Sequence, residues 1–320
     1  MKRIKAILNR IWFTDAPPER LAVLRVLIGV YTLHYVSTSY KELIQISASS
    51  QNHFDPVGFA SLLEQPISPL LFKSILLLTL IFNVLFVIGF KFRYSGPIFS
   101  VLHLFLLSYR NSWSMIYHSQ NVLVFHALIL GFTRAADVLS IDYLLKSGFL
   151  AGLKGKSDKV KKPVVESAGW RYGWPIMLMC AVSVCTYFLA GIAKVEGEVG
   201  WGWISGEALR SQVAVDGLRK EILGSEATNM FFTLYDNLFL FTIMGAGTFI
   251  LELGAPIALY NRRLGQIWAI SAFFMHWGIY FIMGIKFRYQ LSGIFFTTFF
   301  DMEKVVNWIK PNKNSKAEND

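Results

Sequence analysis

The sequence predicts an all-α fold: a polytopic transmembrane helical bundle of about eight spans, within a range of seven to nine. Of its 320 residues, 54% are hydrophobic and only 16% are charged. The apolar residues occur in long, charge-poor blocks and not in the stripes of a soluble amphipathic helix, which is typical of membrane spans. Aromatic residues make up 15% of the chain, as lipid-facing surfaces and interfacial belts require.

The spans follow from the apolar blocks in order. We predict them at about 21–39, 68–90, 94–110, 111–133, 172–193, 230–252, 264–285 and 287–301. The start "MKRIKAILNRIWF" is basic, but its apolar run begins only near Leu21, which favours an uncleaved first span over a signal peptide. The predicted organisation is therefore a basic interfacial segment at 1–20, a transmembrane domain at 21–301 and a polar tail at 302–320.

Lysine and arginine in the loops predict the orientation. The N-terminal segment and the loop at about 134–171 are rich in both residues, so we expect them in the cytoplasm. The loop at about 194–229 is mostly acidic and is expected outside. The protein is thus predicted to be multi-pass, with both termini cytoplasmic. Because the basic loops account for the net charge of +10, membrane lipid and not nucleic acid is the expected partner.

Lys194 ends the fifth predicted span, on the outer side, in "TYFLAGIAKVEGEVGWGW". It could be an interfacial anchor whose ammonium reaches water. Alternatively it is a partly desolvated base, since the small residues at 189–191 favour close packing and Trp201 and Trp203 mark where the interface begins. His118, near the outer end of the fourth span, lies at a compatible depth for proton exchange, and Asn121 shares its stripe. A histidine that only satisfies hydrogen bonds is the alternative for His118.

Other ionisable residues in the spans have structural and functional alternatives. His276 is either a buried hydrogen-bonding residue or a ligand contact in a pocket lined by Phe273, Trp277 and Tyr280. Arg25, one turn into the first span, is either an arginine reaching the cytoplasmic interface or one half of an ion pair with Glu252, near the cytoplasmic end of the sixth span.

The sequence lacks several common catalytic motifs. It has no phosphate-binding loop, dinucleotide fingerprint, HExxH sequence or nucleophile elbow, and no cluster with metal-ligand spacing. It also lacks the paired intramembrane carboxylates typical of proton-coupled transporters. These absences leave the lysine and the histidines as the candidate chemical groups.

Five segments occur in an order that resembles a known family. They are "PPERLAVLRVLIGVY" (17–31), "YRNSWSMIYHSQNVLVFHALIL" (109–130), "YFLAGIAKVEGEVGWGWISGEALRSQV" (187–213), "LELGAPIAL" (251–259) and "FFMHWGIYFIMGIKF" (273–287). Together they resemble the HTTM domain family, the membrane domain shared with vitamin K-dependent gamma-carboxylase. The resemblance covers roughly residues 10–300.

The resemblance implies a quinol-dependent carboxylase or oxidoreductase with an outward-facing site. In that site, Lys194 would be the base that deprotonates a reduced, vitamin K-like quinone, and His118 would form a hydrogen bond. His276, Asn121 and Trp201 are assigned to the substrate pocket. The family's carboxylase carries a large lumenal region, whereas this chain ends about twenty residues after its last predicted span. The alternative is a non-catalytic accessory subunit that binds lipid, a secreted peptide or a partner subunit, as in peptide maturation.

Overall fold

The computed structural model describes residues 11–113, 116, 118–147 and 169–309. Within these ranges every regular element is helical, as the sequence predicts. The chain divides into two compact units. Unit 1 runs to Leu178 and includes the residues from Phe300 onward, and unit 2 is Met179–Phe299.

The α-helices are numbered in chain order. They are α1 (Pro18–Thr38), α2 (Tyr40–Ser47), α3 (Pro69–Ile88), α4 (Phe92–Asn111), α5 (His118–Gly131), α6 (Ile141–Lys146), α7 (Trp170–Glu196), α8 (Glu207–Ile222), α9 (Asn229–Leu234), α10 (Leu238–Leu253), α11 (Arg262–Met283), α12 (Arg288–Leu291) and α13 (Glu303–Ile309). Short 3₁₀ helices connect several of them.

Four of the described helices are long and apolar enough to cross a bilayer: α1, α3, α7 and α11. They have 21, 20, 27 and 22 residues, which at 1.5 Å per residue spans a hydrocarbon core of about 30 Å. These helices indicate a membrane-embedded protein.

The eight predicted spans are not all seen as long apolar helices. α4 has 20 residues, but it contains Arg93, His103 and Arg110 and is too polar to count as a candidate membrane span. α5 and α10 are apolar but have only 14 and 16 residues, or about 21 and 24 Å. The prediction of a span at 287–301 is wrong: α12 has four residues, Gly293 follows with φ 75°, and a 3₁₀ helix covers Ile294–Phe299. A left-handed glycine there interrupts the helix.

Local sequence signals set the ends of the long helices. Ser68 and Asn261 accept hydrogen bonds from Leu71 N (3.3 Å) and Leu264 N (3.0 Å), which caps α3 and α11 at their first turns. Both helices end at glycines in the left-handed region, Gly89 with φ 65° and Gly284 with φ 66°.

In unit 1, small residues allow α4 and α5 to pack closely. The backbone oxygen of Gly131 lies 2.7 Å from where a Cβ on Gly96 would be, so even alanine would not fit without a shift. Beside it, Ser100 Oγ donates to Ala127 O at 2.7 Å. Small-residue contacts and hydroxyl bonds of this kind are common where membrane helices associate.

The predicted cytoplasmic and outer loops contain regular structure. The loop predicted at 134–171 includes α6, and residues 148–168 lie outside the described part of the chain. The loop predicted at 194–229 contains the 3₁₀ helix Gly200–Ser205 and the whole of α8. The predicted tail begins with α13, and Arg20 of α1 forms a bidentate pair with its Glu303 (2.6 and 2.7 Å). Most of the predicted N-terminal interfacial segment, residues 1–10, lies outside the described residues.

Candidate functional site

In unit 2, Lys194 and Glu252 form an ion pair among apolar helices. Lys194 lies in the last turn of α7 and Glu252 in the last turn of α10. The ammonium Nζ bonds both carboxylate oxygens, with Oε1 at 2.5 Å. The lysine side chain is 23% exposed and the glutamate side chain 8%, so the pair is mostly desolvated but can be reached from the lysine side.

The small residue Gly191 makes this pairing possible. A Cβ at Gly191 would lie 2.9 Å from Leu253 Cδ2 and 3.1 Å from Glu252 Cβ. The glycine therefore lets α7 approach the end of α10 closely enough for Lys194, one turn later, to reach the carboxylate. Within the segment 189–191 the close packing thus falls on Gly191, while Leu189 and Ala190 are exposed.

The 3₁₀ segment after α7, residues 200–206, places a tryptophan against the ion pair; we call it the strap. Lys194 Nζ lies 5.5 Å from the centroid of the Trp203 ring, within cation–π range. The strap begins at Gly200 (φ 54°) and ends at Gly206 (φ 81°), where the backbone packs directly on Phe241 and Thr242 of α10. The strap is therefore held on α10 by backbone contact, which fixes Trp203 over the ammonium.

Trp201 lies outside this contact. Its side chain is 64% exposed, and its ring packs on Phe249 of α10 with centroids 5.3 Å apart. The structure thus puts Trp201 on the surface next to α10, whereas Trp203 contacts Lys194.

The predicted side of the membrane is wrong for Lys194 or for Glu252. Alternating spans place Lys194 at the outer end of 172–193 and Glu252 near the cytoplasmic end of 230–252. Opposite faces of a bilayer are separated by about 30 Å of hydrocarbon. Because the two side chains are bonded, they lie at one depth. The predicted alternation of these two spans therefore fails, and α10, at 16 residues, is shorter than the block at 230–252 from which a full crossing was predicted.

His276 lies in an aromatic environment on α11, also within unit 2. Its Nδ1 donates to Ala272 O at 2.8 Å, and the hydroxyl of Tyr187 is 3.4 Å from the same nitrogen. The nearest rings belong to Phe287 (5.1 Å), Tyr187 (5.7 Å) and Phe296 (6.4 Å). His276 is thus buried and hydrogen-bonded in the interior of unit 2, as the first of its two predicted alternatives has it, and the ligand pocket of the second stays a prediction. The predicted lining residues Phe273, Trp277 and Tyr280 contact one another in sequence along α11. Phe273 also packs on Phe296 at 6.2 Å, so this series is continuous with the rings around His276.

Tyr187 is a residue that the sequence reasoning missed. It is buried on α7, seven residues before Lys194, so the two lie on one face of the helix about 10 Å apart along its axis. Its ring also meets Trp268 edge to face, at 4.9 Å. Counting back two turns from Lys194 would have identified it.

Two predicted residues of α5, His118 and Asn121, belong to unit 1. α5 begins at His118, whose side chain lies outside the described part of the structure. Asn121, one turn later, is half-buried. The predicted proximity of His118 to Lys194 therefore remains a prediction.

Arg25 is fully buried in unit 1, so it does not reach an interface. It donates to Ala135 O at 3.0 Å and to Leu139 O at 2.5 Å. Leu139 has φ 49°, an unusual conformation for leucine, and its carbonyl is held by this bond. Glu252, the partner predicted for Arg25, is bound by Lys194 instead.

Among the residues described, no group of three histidine, cysteine, aspartate or glutamate side chains comes together that could hold a metal ion. No protein-family model, no curated protein and no solved structure matches the chain.

Proposed function

We propose that this chain is an integral membrane protein of the HTTM type in which the Lys194–Glu252 pair is the reactive centre for a lipid-soluble quinol. The observation that carries the proposal is the ion pair itself. Ionisable side chains among membrane helices are costly and are retained chiefly at functional sites. Here two such groups from different helices meet beneath a tryptophan, and the lysine remains 23% exposed.

The donor set suits an aromatic diol. A partly exposed ammonium and a carboxylate are the groups that bind and deprotonate a phenolic hydroxyl. The rings of Trp203 and of the exposed Trp201 offer flat apolar surfaces for a quinol ring. A quinol would supply an acidic hydroxyl and a redox-active ring at this place.

The pair can take up one proton. Lys194 gives an ammonium proton to Glu252 and accepts the proton of the substrate hydroxyl in its place. The result is a protonated Glu252 and an ammonium that stabilises the new oxyanion, so charge and protons balance. Such relays are efficient when donor and acceptor already share a hydrogen bond, as these two residues do. We further propose that His276 and Tyr187 contact the same ligand from α11 and α7.

A specific observation favours a second candidate, the non-catalytic accessory subunit. Both oxygens of Glu252 bond Nζ in the resting structure, which is also what a purely structural tie between α7 and α10 requires. In this case the chain would bind lipid or a secreted peptide for a partner protein.

Mass spectrometry of the small molecules retained by the detergent-purified protein tests the proposal. We expect a quinone in wild type and its loss in Lys194→Ala and Glu252→Gln, with His118→Ala reporting on the predicted hydrogen-bonding partner. Lys220→Ala is the matched control, because Lys220 also forms an ion pair at 25% exposure, with Asp216. Retention of phospholipid alone by every protein would reject the quinol site and favour the accessory subunit.

A further inference from the structure

The outward face of α8 carries an apolar stripe, made of Val215, Leu218 and Ile222. They are 63%, 63% and 72% exposed, and their spacing of three and four residues places them on one side of the helix. The opposite side contains the buried Val213 and Gly217. Contiguous large apolar side chains on a surface indicate a binding face.

The C-terminal half of α8 is attached to the end of a candidate membrane span. Lys220 Nζ bonds Met283 O, the last carbonyl of α11, and also Asp216. Just after α8, the Thr228 hydroxyl bonds Ile282 O in the same turn of α11. α11 has 22 residues and is about 33 Å long, close to the thickness of the hydrocarbon core, so a crossing by α11 puts its last turn at the membrane boundary.

The N-terminal end of α8 is attached near the beginning of α10. Thr242 Oγ1 donates to Ser205 O at 2.7 Å, and the backbone of Gly206 packs on Phe241 and Thr242. These contacts fall in the second turn of α10, which starts at Leu238. Two independent attachments thus hold α8 beside the ends of two apolar helices. The position of α8 relative to the membrane is therefore fixed by its contacts with α10 and α11.

We propose that α8 is an interfacial helix whose Val215–Leu218–Ile222 stripe is immersed in lipid at the membrane boundary. Lipid fits this face because α8 is held at the depth of the last turn of α11, where acyl chains and headgroups meet. The exposed Gln212 and Arg219 flank the stripe and reach the headgroups and water. This assignment makes part of the predicted outer loop at 194–229 a membrane-surface element, and it does not depend on the proposed quinol site.

Spin-label accessibility in lipid nanodiscs tests the proposal. The parent is Cys185→Ala, since Cys185 is exposed and Cys180 is buried. Labels are placed at Val215→Cys, Leu218→Cys and Ile222→Cys on the stripe, and at Gln212→Cys and Arg219→Cys on the polar flank. Collision rates are measured with oxygen, which concentrates in lipid, and with a water-soluble nickel chelate. Helicity and thermal midpoint matching the parent establish that each labelled protein is folded.

We expect the stripe labels to collide severalfold more with oxygen than with the chelate, and the flank labels to show the reverse preference. High chelate access at all five positions would mean a water-exposed loop and would overturn the proposal. Low access to both reagents along the stripe would mean that a peptide, a partner protein or a second copy covers it, and would overturn it equally. Three stripe positions are labelled, so that if one variant misfolds the other two still decide the result.

Discussion

Single residues show where pattern reasoning succeeds and where it fails. The sequence identified Lys194, Glu252, Arg25 and His276 as unusual, because ionisable groups in apolar blocks are visible in one dimension. It could not supply their partners, since Lys194 and Glu252 are 58 residues apart and meet only through tertiary packing. Tyr187 was missed because a tyrosine in an aromatic-rich span does not stand out. Its spacing of seven residues from Lys194 was the one available signal, and its contact with His276 exists only in the folded chain.

Removing one half of the ion pair should be costly. Glu252→Gln leaves the Lys194 ammonium without its carboxylate in a mostly desolvated place, so we expect a loss of about 3 kcal/mol in the free energy of unfolding. Denaturant titration in detergent measures it. The double variant Lys194→Met, Glu252→Met should recover most of that loss, because it leaves no unpaired charge. A single variant as stable as wild type would mean that the pair contributes nothing.

Arg25 should be needed for the fold of unit 1. Arg25→Met leaves the carbonyls of Ala135 and Leu139 without their donor, and we expect a loss of about 3 kcal/mol. Arg93→Met is the control, since Arg93 is exposed on α4 and its loss should change stability by less than about 0.5 kcal/mol. Thermal unfolding of the two variants side by side is the measurement, and equal midpoints would contradict the role given to Arg25.

At the scale of elements, the type of structure was predictable but the lengths were not. α1, α3, α7 and α11 correspond to predicted spans because each is a long apolar block between proline, serine, asparagine or glycine signals. α5 and α10 are shorter than their apolar blocks suggested. The block at 287–301 fails because Gly293 turns the chain. α8 was taken for a loop because its composition is mixed, and only its attachments to α10 and α11 show that it is a fixed helix.

The strap depends on close backbone packing at Gly206. Gly206→Ala must accommodate both φ 81° and a Cβ pressed against the backbone of Phe241 and Thr242. Gly224→Ala has a similar φ of 75° but open space around it, so it isolates the conformational cost of about 1 kcal/mol. We expect Gly206→Ala to lose at least about 2 kcal/mol more than Gly224→Ala in denaturant titration. Similar losses would show that packing of the strap on α10 is unimportant.

For the whole molecule, composition alone predicted membrane embedding, and the four long apolar helices agree with it. Composition could not give sidedness. Counting lysine and arginine assumes that successive apolar blocks cross in alternating directions, and the contact between Lys194 and Glu252 is incompatible with that alternation for the blocks at 172–193 and 230–252.

The membrane assignment predicts how the protein fractionates. It should stay in the membrane pellet after an alkaline carbonate wash and leave only with detergent, because helices of this length and hydropathy insert and do not merely adhere. Immunoblotting of both fractions measures this, with a peripheral protein in the same preparation as control. Release into the carbonate supernatant would refute embedding.

The most direct test of the reactive centre reverses the ion pair. The variant Lys194→Glu, Glu252→Lys keeps one positive and one negative group in contact, so unfolding should show stability within about 1 kcal/mol of wild type. The base, however, is moved from α7 to α10 and away from Trp203. We predict that this stable variant, purified in parallel with wild type, retains no quinone by mass spectrometry. Undiminished retention in the reversed variant, or no quinone in wild type, would contradict the proposal and leave the pair as a structural tie.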